Sequence, residues 1–552
     1  MSIRPLLAIA LACTAACRPA TPTPAPAPSA LTPVADTSAA DTSAADVAPR
    51  RVPSNQPCAI IPSDEEMRRA AWAGYRIEFT ALVDSLTGDP RFRSAHWGVL
   101  VVDPHTGDTI VSRNAGKLFM PASNQKLLTG ALALTQLGAD HRFETRLLGT
   151  GRVVNGTLTG DLAVLGDGDP SVSDSLAGGD AMAPLLAFAD SLRARGVRRI
   201  GGRLVRAATV FPDSTLGFGW AWDDLDYGYS APVDALTFNE GYAEVLVIGA
   251  RRPSGRVTVR TKPATTVPRL GRVTVTTATG RSDVKIAGDV RGPRPQVHLT
   301  GTVAPNDTVV LEVALRHPTA AYLDALAEAL RRRGITMRGG VDPDAIADTT
   351  GMVTLATRRS PPLREILPRF EKPSQNQIGE LLLKATARAR TGVGSADSGR
   401  AVLERQLLAW GADSLGFAVR DGSGLSRHDY VSPETIVKVL AAMRQHPEFE
   451  TFRASLPVAG VDGTIRSRMR GTSAEGRVFA KTGTLDKARS LSGYVQTPDG
   501  RLLLFSFLTN NHVASNRETD RVTDALAAWL AGTPLPPPEP APGTMVLPPT
   551  TP

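Results

Sequence analysis

"FMPASNQKLLTGALAL", residues 119–134, places Ser123 three residues before Lys126 and follows both with an unbroken apolar run. Residues three apart on a helix share a face, so a lysine amine in this position can reach the serine hydroxyl. The pair is either a nucleophile with its base or two ordinary residues near a helix start. Spacing alone does not decide, because about half of one Ser-x-x-Lys match is expected by chance in a chain with so few lysines. A second match does occur, Ser282–Lys285 in "TGRSDVKIAGDV". It sits in a turn leading into alternating strand sequence, where the two side chains point in different directions.

Two further fragments stand downstream in order. Ser374-Gln375-Asn376 lies in "FEKPSQNQIGELLLK" (370–384), and Lys481-Thr482-Gly483 lies in "GRVFAKTGTLDKARSLSGYV" (476–495), ahead of a strand pattern. Each is weak alone, and Ser112-Arg113-Asn114 also fits Ser-x-Asn. Together and in this order, Ser-x-x-Lys, Ser-x-Asn and Lys-Thr-Gly make up the set used by serine enzymes that recognise penicillin. An ordinary lysine is protonated at neutral pH and cannot accept the serine proton. Burial and a second cation lower its pKa, and Lys481 is the cation available. Helix N-terminal N–H groups near Ser123 favour a developing oxyanion.

Around this set the chain of 552 residues, 42% hydrophobic and 21% charged, is long enough for two or three domains. The net charge of +8 is spread along the chain without an aromatic-interleaved basic stripe, so nucleic acid is not an expected partner. The histidines and cysteines lack zinc spacing, the aspartates at 223–226 lack calcium-loop spacing, and no phosphate-cradling loop occurs. Neither a metal nor another cofactor is expected.

The N-terminus "MSIRPLLAIALACTAAC" carries one early arginine and an apolar stretch of about 12 residues, too short to span a bilayer, so residues 1–17 read as an export signal. "TAAC" is similar to a bacterial lipoprotein processing site with Cys17 as the lipidated residue, although Thr14 stands where leucine is usual; the alternative is a plain cleaved signal. Residues 18–56 form a Pro/Ala/Thr-rich tether, and 533–552 a proline-rich tail. With Cys13 and Cys17 in the signal, Cys58 is left single, so the mature chain has no internal disulfide.

Between tether and tail, helical spacing marks 65–86, two strands fill 96–114, and helical patterns return at 319–334, 362–389 and 397–410. Strands follow at 489–509, with a closing helix near 516–531. Stretches 146–166 and 257–280 alternate like β-hairpins. The organisation expected is one domain in two halves, 57–145 and 351–532, separated by a β-rich insertion at 146–350.

Further segments carry a resemblance. "GDLAVLGDGDPSV" (160–172), "APVDALTFNEG" (231–241), "RSPPLREILPRFEKPSQNQIGELLLK" (359–384), "DGSGLSRHD" (421–429) and the run from Val461 to Leu485 resemble the D-alanyl-D-alanine carboxypeptidase/endopeptidase family, the type-4-like low-molecular-mass penicillin-binding proteins. The likeness spans roughly residues 60–530. Gln375 departs from the aspartate common in that family, and altered hydrogen bonding around the site is expected there.

The resemblance implies an α+β fold: a penicillin-binding transpeptidase/β-lactamase-like domain, with an antiparallel sheet flanked by helices, carrying one or two inserted β-rich domains. It implies Ser123 as nucleophile, Lys126 as general base, and the backbone N–H groups of Ser123 and Thr484 as oxyanion hole. Ser374 and Lys481 relay the proton, Asn376 orients the substrate amide, and Lys481, Thr482 and Gly483 line the place of the terminal carboxylate. Arg427, and Trp220 or Asp223 in "GWAWDDLDYGY", match positions the family places near the stem-peptide side chain, where an acid and an arginine suit a zwitterionic diaminopimelate end; the plainer reading of Trp220 and Trp222 is packing. The implied partners are peptidoglycan stem peptides, β-lactams as inhibitors, and a membrane through the lipid anchor, in the periplasm or cell envelope. A β-lactamase and an inactive cell-wall-binding lipoprotein are the alternatives.

Overall fold

The computed structural model describes residues 63–537 apart from Thr266 and residues 289–295. The signal, Cys17, the tether, Cys58 and all but the first residues of the tail lie outside the described residues. The first described helix, α1 (Asp64–Thr87), starts on a capping box in which Ser63 and Glu66 exchange side-chain and backbone bonds.

A five-stranded antiparallel sheet forms the centre, built from both ends of the chain. Its strands are β1 (His96–Val102), β2 (Thr109–Arg113), β3 (Val478–Leu485), β4 (Ala488–Gln496) and β5 (Leu502–Asn510), in the order β2-β1-β5-β4-β3. The β1–β5 register sets Val99 opposite Phe507, closing a loop of about four hundred residues in one ladder. Strand alternation sorts side chains to two faces. Val99, Val101, Phe505 and Phe507 pack with Trp72 and Phe79 of α1 and with Leu526 and Leu530 of the closing helix. Leu100, Tyr494, Leu504 and Leu508 face the opposite way, onto Leu127, Leu128 and Leu132.

That second layer is centred on α2 (Gln125–Leu137), with every residue from Gln125 to Leu134 buried. A helix apolar nearly all round belongs inside a domain rather than on its surface. Against it pack α3 (Leu363–Glu371), α4 (Asn376–Thr391) and α5 (Pro433–Gln445). The single helical pattern expected over 362–389 is broken: α3 ends at Glu371 and α4 begins at Asn376. Lys372 is still helical; the break falls at Pro373, which has no N–H to continue the ladder, and at Ser374, whose φ of +68 leaves helical geometry. The closing helix α6 (Asn516–Gly532) starts on a second capping box, Ser515 with Glu518.

Between β2 and α3 lie further sheets. Glu144–Gly149, Leu162–Leu165, Leu204–Ala207, Val341–Ala347 and Val353–Arg359 form a five-stranded sheet, in which Val353–Arg359 pairs with Glu144–Gly149. Residues 146–166 form nested hairpins, as their alternation predicts. Residues 257–280 do not. Thr258–Lys262 joins Tyr242–Ile248, while Arg269–Thr277 runs parallel to Gln296–Val303. Pro263 and Pro268 fall in the six-residue connection, and alternation reports a half-buried strand without naming its partner.

Candidate active site

Ser123 sits in a 3-10 turn, Ala122–Asn124, that runs directly into α2. The turn is held against the sheet edge. Asn124 Nδ2 donates to Ser492 Oγ at 2.7 Å, and Ser490 Oγ donates to the Pro121 carbonyl at 2.8 Å. Ala122 adopts φ +49, a left-handed geometry that costs a non-glycine residue free energy and persists because its neighbours enforce it. One of those neighbours is Gly424, itself at φ +81: a Cβ there would lie 1.8 Å from the Ala122 carbonyl oxygen, so no side chain fits. Another is Gly483 of β3, where a Cβ would lie 2.5 Å from the Pro121 oxygen. The glycine of Lys-Thr-Gly is therefore what lets β3 lie flush against the serine turn.

Lys126, one turn into the structure, is wholly buried. Its Nζ lies 2.8 Å from Ser123 Oγ, 2.6 Å from Asn376 Oδ1 and 2.6 Å from the Ser423 carbonyl oxygen. Burial, then the charge of Lys481, lowers the Lys126 pKa to about 7, with Glu371, Asp421 and Glu380 opposing the shift. The amine is thus half neutral near neutral pH, the state in which it accepts a proton. Lys481 is also wholly buried, its pKa lowered by burial against the pull of Glu371, and its Nζ donates to the Thr482 carbonyl at 3.1 Å. Ser282 and Lys285 share no such contact. Ser282 Oγ bonds Asp307 and Lys285 pairs with Asp283 across 3.9 Å, as strand geometry requires.

Ser374 occupies the break between α3 and α4 at φ +68, and Asn376 is the first residue of α4. Asn376 Nδ2 donates to the Tyr229 carbonyl at 2.7 Å, so its amide bridges the inserted segment and the Lys126 amine. Gln375 caps α4: its Oε1 accepts from Ile378 N–H at 3.2 Å, and its side chain also bonds the buried carboxylate of Glu240.

Ser123, Ser374, Asn376, Thr482, Thr484 and Arg427 line one cavity of about 470 Å³. Thr482 Oγ1 donates to Thr464 Oγ1 at 2.7 Å at its edge. Of the acids in "WDDLD", Asp224 lines this cavity, while Asp223 is exposed in the 3-10 turn Trp222–Asp224. Trp220 borders a neighbouring cavity instead, with Phe218, Lys384 and Asp421, and donates its indole N–H to Asp421 Oδ2 at 3.0 Å. Trp222 is 84% exposed.

Several residues in this arrangement lie outside the three short motifs. The 421–424 loop holds Lys126 through a backbone carbonyl, and is itself held by Glu380, which accepts from the N–H of Gly422 and of Ser423, and by Asp421, which accepts from Gly424 N–H at 2.7 Å. Burial and Asp421 raise the Glu380 pKa to about 8. Tyr229 and Thr464 contribute through position alone. Glu371 is buried beside both lysines. In sequence it is one more charge in "RFEKP", which reads as an ordinary solvated stretch.

The D-Ala-D-Ala carboxypeptidase 3 (S13) family model matches residues 79–533. A D-alanyl-D-alanine carboxypeptidase of Actinomadura sp. (strain R39) is 37% identical over 464 residues, covering 81% of this chain and 84% of that protein. The D-alanyl-D-alanine carboxypeptidase DacB of Haemophilus influenzae is 27% identical over 438 residues, covering 76% and 87%. The crystal structure of penicillin-binding protein 4 from H. influenzae superposes with a TM-score of 0.70 at 26% identity, covering 82% of this chain and 99% of that one.

Proposed function

Since the chain belongs to the D-Ala-D-Ala carboxypeptidase 3 (S13) family, we propose that it is a serine-type D-alanyl-D-alanine carboxypeptidase and D,D-endopeptidase that works through an acyl-enzyme and is acylated by β-lactams. The observation that carries this reading is the buried Lys126 amine, with a pKa near 7, 2.8 Å from Ser123 Oγ.

Ser123 Oγ attacks the carbonyl carbon of the penultimate D-alanine while its proton passes to Lys126 Nζ. The developing oxyanion is received by the backbone N–H groups of Ser123 and Thr484. Lys481, kept charged at the sheet edge, and Thr482 hold the substrate's terminal carboxylate. The flush packing at Gly483 keeps strand and serine turn in register for both tasks. Ser374 and Lys481 relay a proton to the leaving amine, and Asn376 orients both the substrate amide and Lys126. Water then takes the leaving group's place and hydrolyses the ester.

Asp224 and Arg427, which line the same cavity, supply an acid and a guanidinium for the zwitterionic end of a diaminopimelate side chain. Asp224 takes the part first expected of Asp223. Trp220 acts on the 421–424 loop through Asp421.

The envelope setting rests on the sequence. Residues 1–17 act as an export signal, Cys17 as the lipidated residue, and 18–56 as a tether that lets the enzyme reach the wall in the periplasm. Among the described residues no helix is long and apolar enough to cross a membrane. The central sheet, whose strands come from residues 96–113 and 478–510, supports a domain in two halves around an insertion, but Val353–Arg359 pairs with Glu144–Gly149 in the inserted sheet, so the insertion runs from about 144 to 359 rather than 146–350.

The test is release of D-alanine from a diaminopimelate pentapeptide, and cleavage of its cross-linked dimer. Wild type should process at least the pentapeptide and Ser123→Ala neither substrate. Wild-type inactivity on both would refute the reading.

A further inference from the structure

Glu371 closes α3 with no exposed surface, and neither carboxyl oxygen has a hydrogen-bond partner among the described residues. A buried, unbonded carboxyl costs several kcal/mol unless something compensates its charge. Its neighbours supply the compensation. Gly130 lies four residues after Lys126, on the same face of α2. A Cβ at Gly130 would lie 2.7 Å from Glu371 Oε1, so the missing side chain is the space the carboxyl occupies. Lys126 reaches the carboxyl electrostatically from α2 and Lys481 from β3, and these two are the charges that act on it. Asp421 and Glu380 act on Lys126 from the loop side. The adjacent Lys372 turns away, bonded to Asp462 and to the Leu456 carbonyl.

The proposed reaction needs opposite protonation states in two buried lysines: Lys126 neutral to take the serine proton, and Lys481 charged to hold a carboxylate. Two buried amines with no countercharge would both tend to be neutral. We propose that Glu371 is a positioning residue of the reaction, a buried carboxyl group behind α2 whose negative charge favours the cationic form of Lys481 while Lys126 is neutral. Burial raises the Glu371 pKa, and Lys481 and then Lys126 oppose that rise without cancelling it. This inference rests on the proposed acyl-enzyme reading.

The test is the pH profile of acylation by a chromogenic cephalosporin, with thermal melting recorded alongside. Glu371→Leu replaces an unbonded buried acid by an apolar residue of similar size, an exchange that buried sites commonly accept. Removing the carboxylate takes away an influence that raises both lysine pKa values. Both limbs of the profile should therefore move to lower pH by about one unit. Glu371→Gln should move them the same way, and Glu371→Asp should restore them part of the way. Folded variants whose limbs stay at the wild-type pH would overturn the proposal, because a purely structural glutamate changes melting alone. Failure of both the Leu and Gln variants to fold would assign Glu371 to packing and overturn it too. Wild type unreactive at every pH would instead refute the acyl-enzyme reading, and this inference with it.

Discussion

Lys126 Nζ stands 2.8 Å from Ser123 Oγ while the lysine side chain has no exposed surface. A buried amine beside a second buried cation loses its proton far more readily than a lysine in water. With a Lys126 pKa of about 7, acylation by a β-lactam should rise with pH and reach half its plateau near pH 7. It should fall again at higher pH as Lys481, whose pKa is also lowered, gives up the charge that holds the carboxylate. Stopped-flow acylation from pH 5 to about 10 checks both limbs. A rate falling steadily from acid to alkali would assign the base elsewhere.

Asn376 Oδ1 accepts from Lys126, so its charge sets that lysine's acidity. Asn376→Asp puts a carboxylate 2.6 Å from the amine and favours its protonated form. The half-rise of acylation should move up by about one pH unit or more. Asn376→Ala should leave that midpoint nearer its place and lower the plateau by roughly 10²-fold, through lost orientation. The same pH series on the two variants separates these effects.

Gly424 and Gly392 both have positive φ, but only one has neighbours. An alanine Cβ at Gly424 meets the Ala122 carbonyl at 1.8 Å, whereas nothing lies within 4 Å of Gly392. Gly424→Ala should cost about 3 kcal/mol or more and slow acylation by displacing the serine turn. Gly392→Ala should cost about 1 kcal/mol and leave acylation unchanged. Urea denaturation with active-site titration measures both.

Trp220 and Arg427 were both expected near the substrate side chain, and the structure places them differently. Trp220→Phe removes the donor to Asp421 Oδ2, so stability should fall by about 1–2 kcal/mol, with similar KM changes for peptides with and without diaminopimelate. Arg427→Ala and Asp224→Asn should raise KM selectively for the diaminopimelate peptide, by about tenfold for a lost charge-assisted contact. Equal effects on both peptides would remove Asp224 and Arg427 from side-chain recognition.

What could be read in advance followed from local rules. Ser123 and Lys126 share a helix face by spacing, and strand alternation marks 489–509 after Lys-Thr-Gly, although Lys481 itself lies within the preceding strand, Val478–Leu485. What could not be read depends on contacts between distant segments. Nothing local in "RFEKP" distinguishes Glu371 from a solvated acid, because its burial is decided by Gly130, some 240 residues earlier. The Ser423 carbonyl that holds Lys126 is a backbone group available to any residue type. Asp223 and Asp224 are adjacent and chemically alike, and only the path of the 3-10 turn sends Asp224 into the cavity. Alternation in 257–280 predicts strands, while their partners were settled by a connection too long for a tight hairpin.

The most direct measurement of the central claim is the intact mass of wild type and Ser123→Ala after incubation with benzylpenicillin. The account predicts a stable increase of one penicilloyl group on wild type, mapped to the peptide containing Ser123, and no increase on the variant. An adduct on both proteins, or hydrolysed drug with wild type left unmodified, would contradict it.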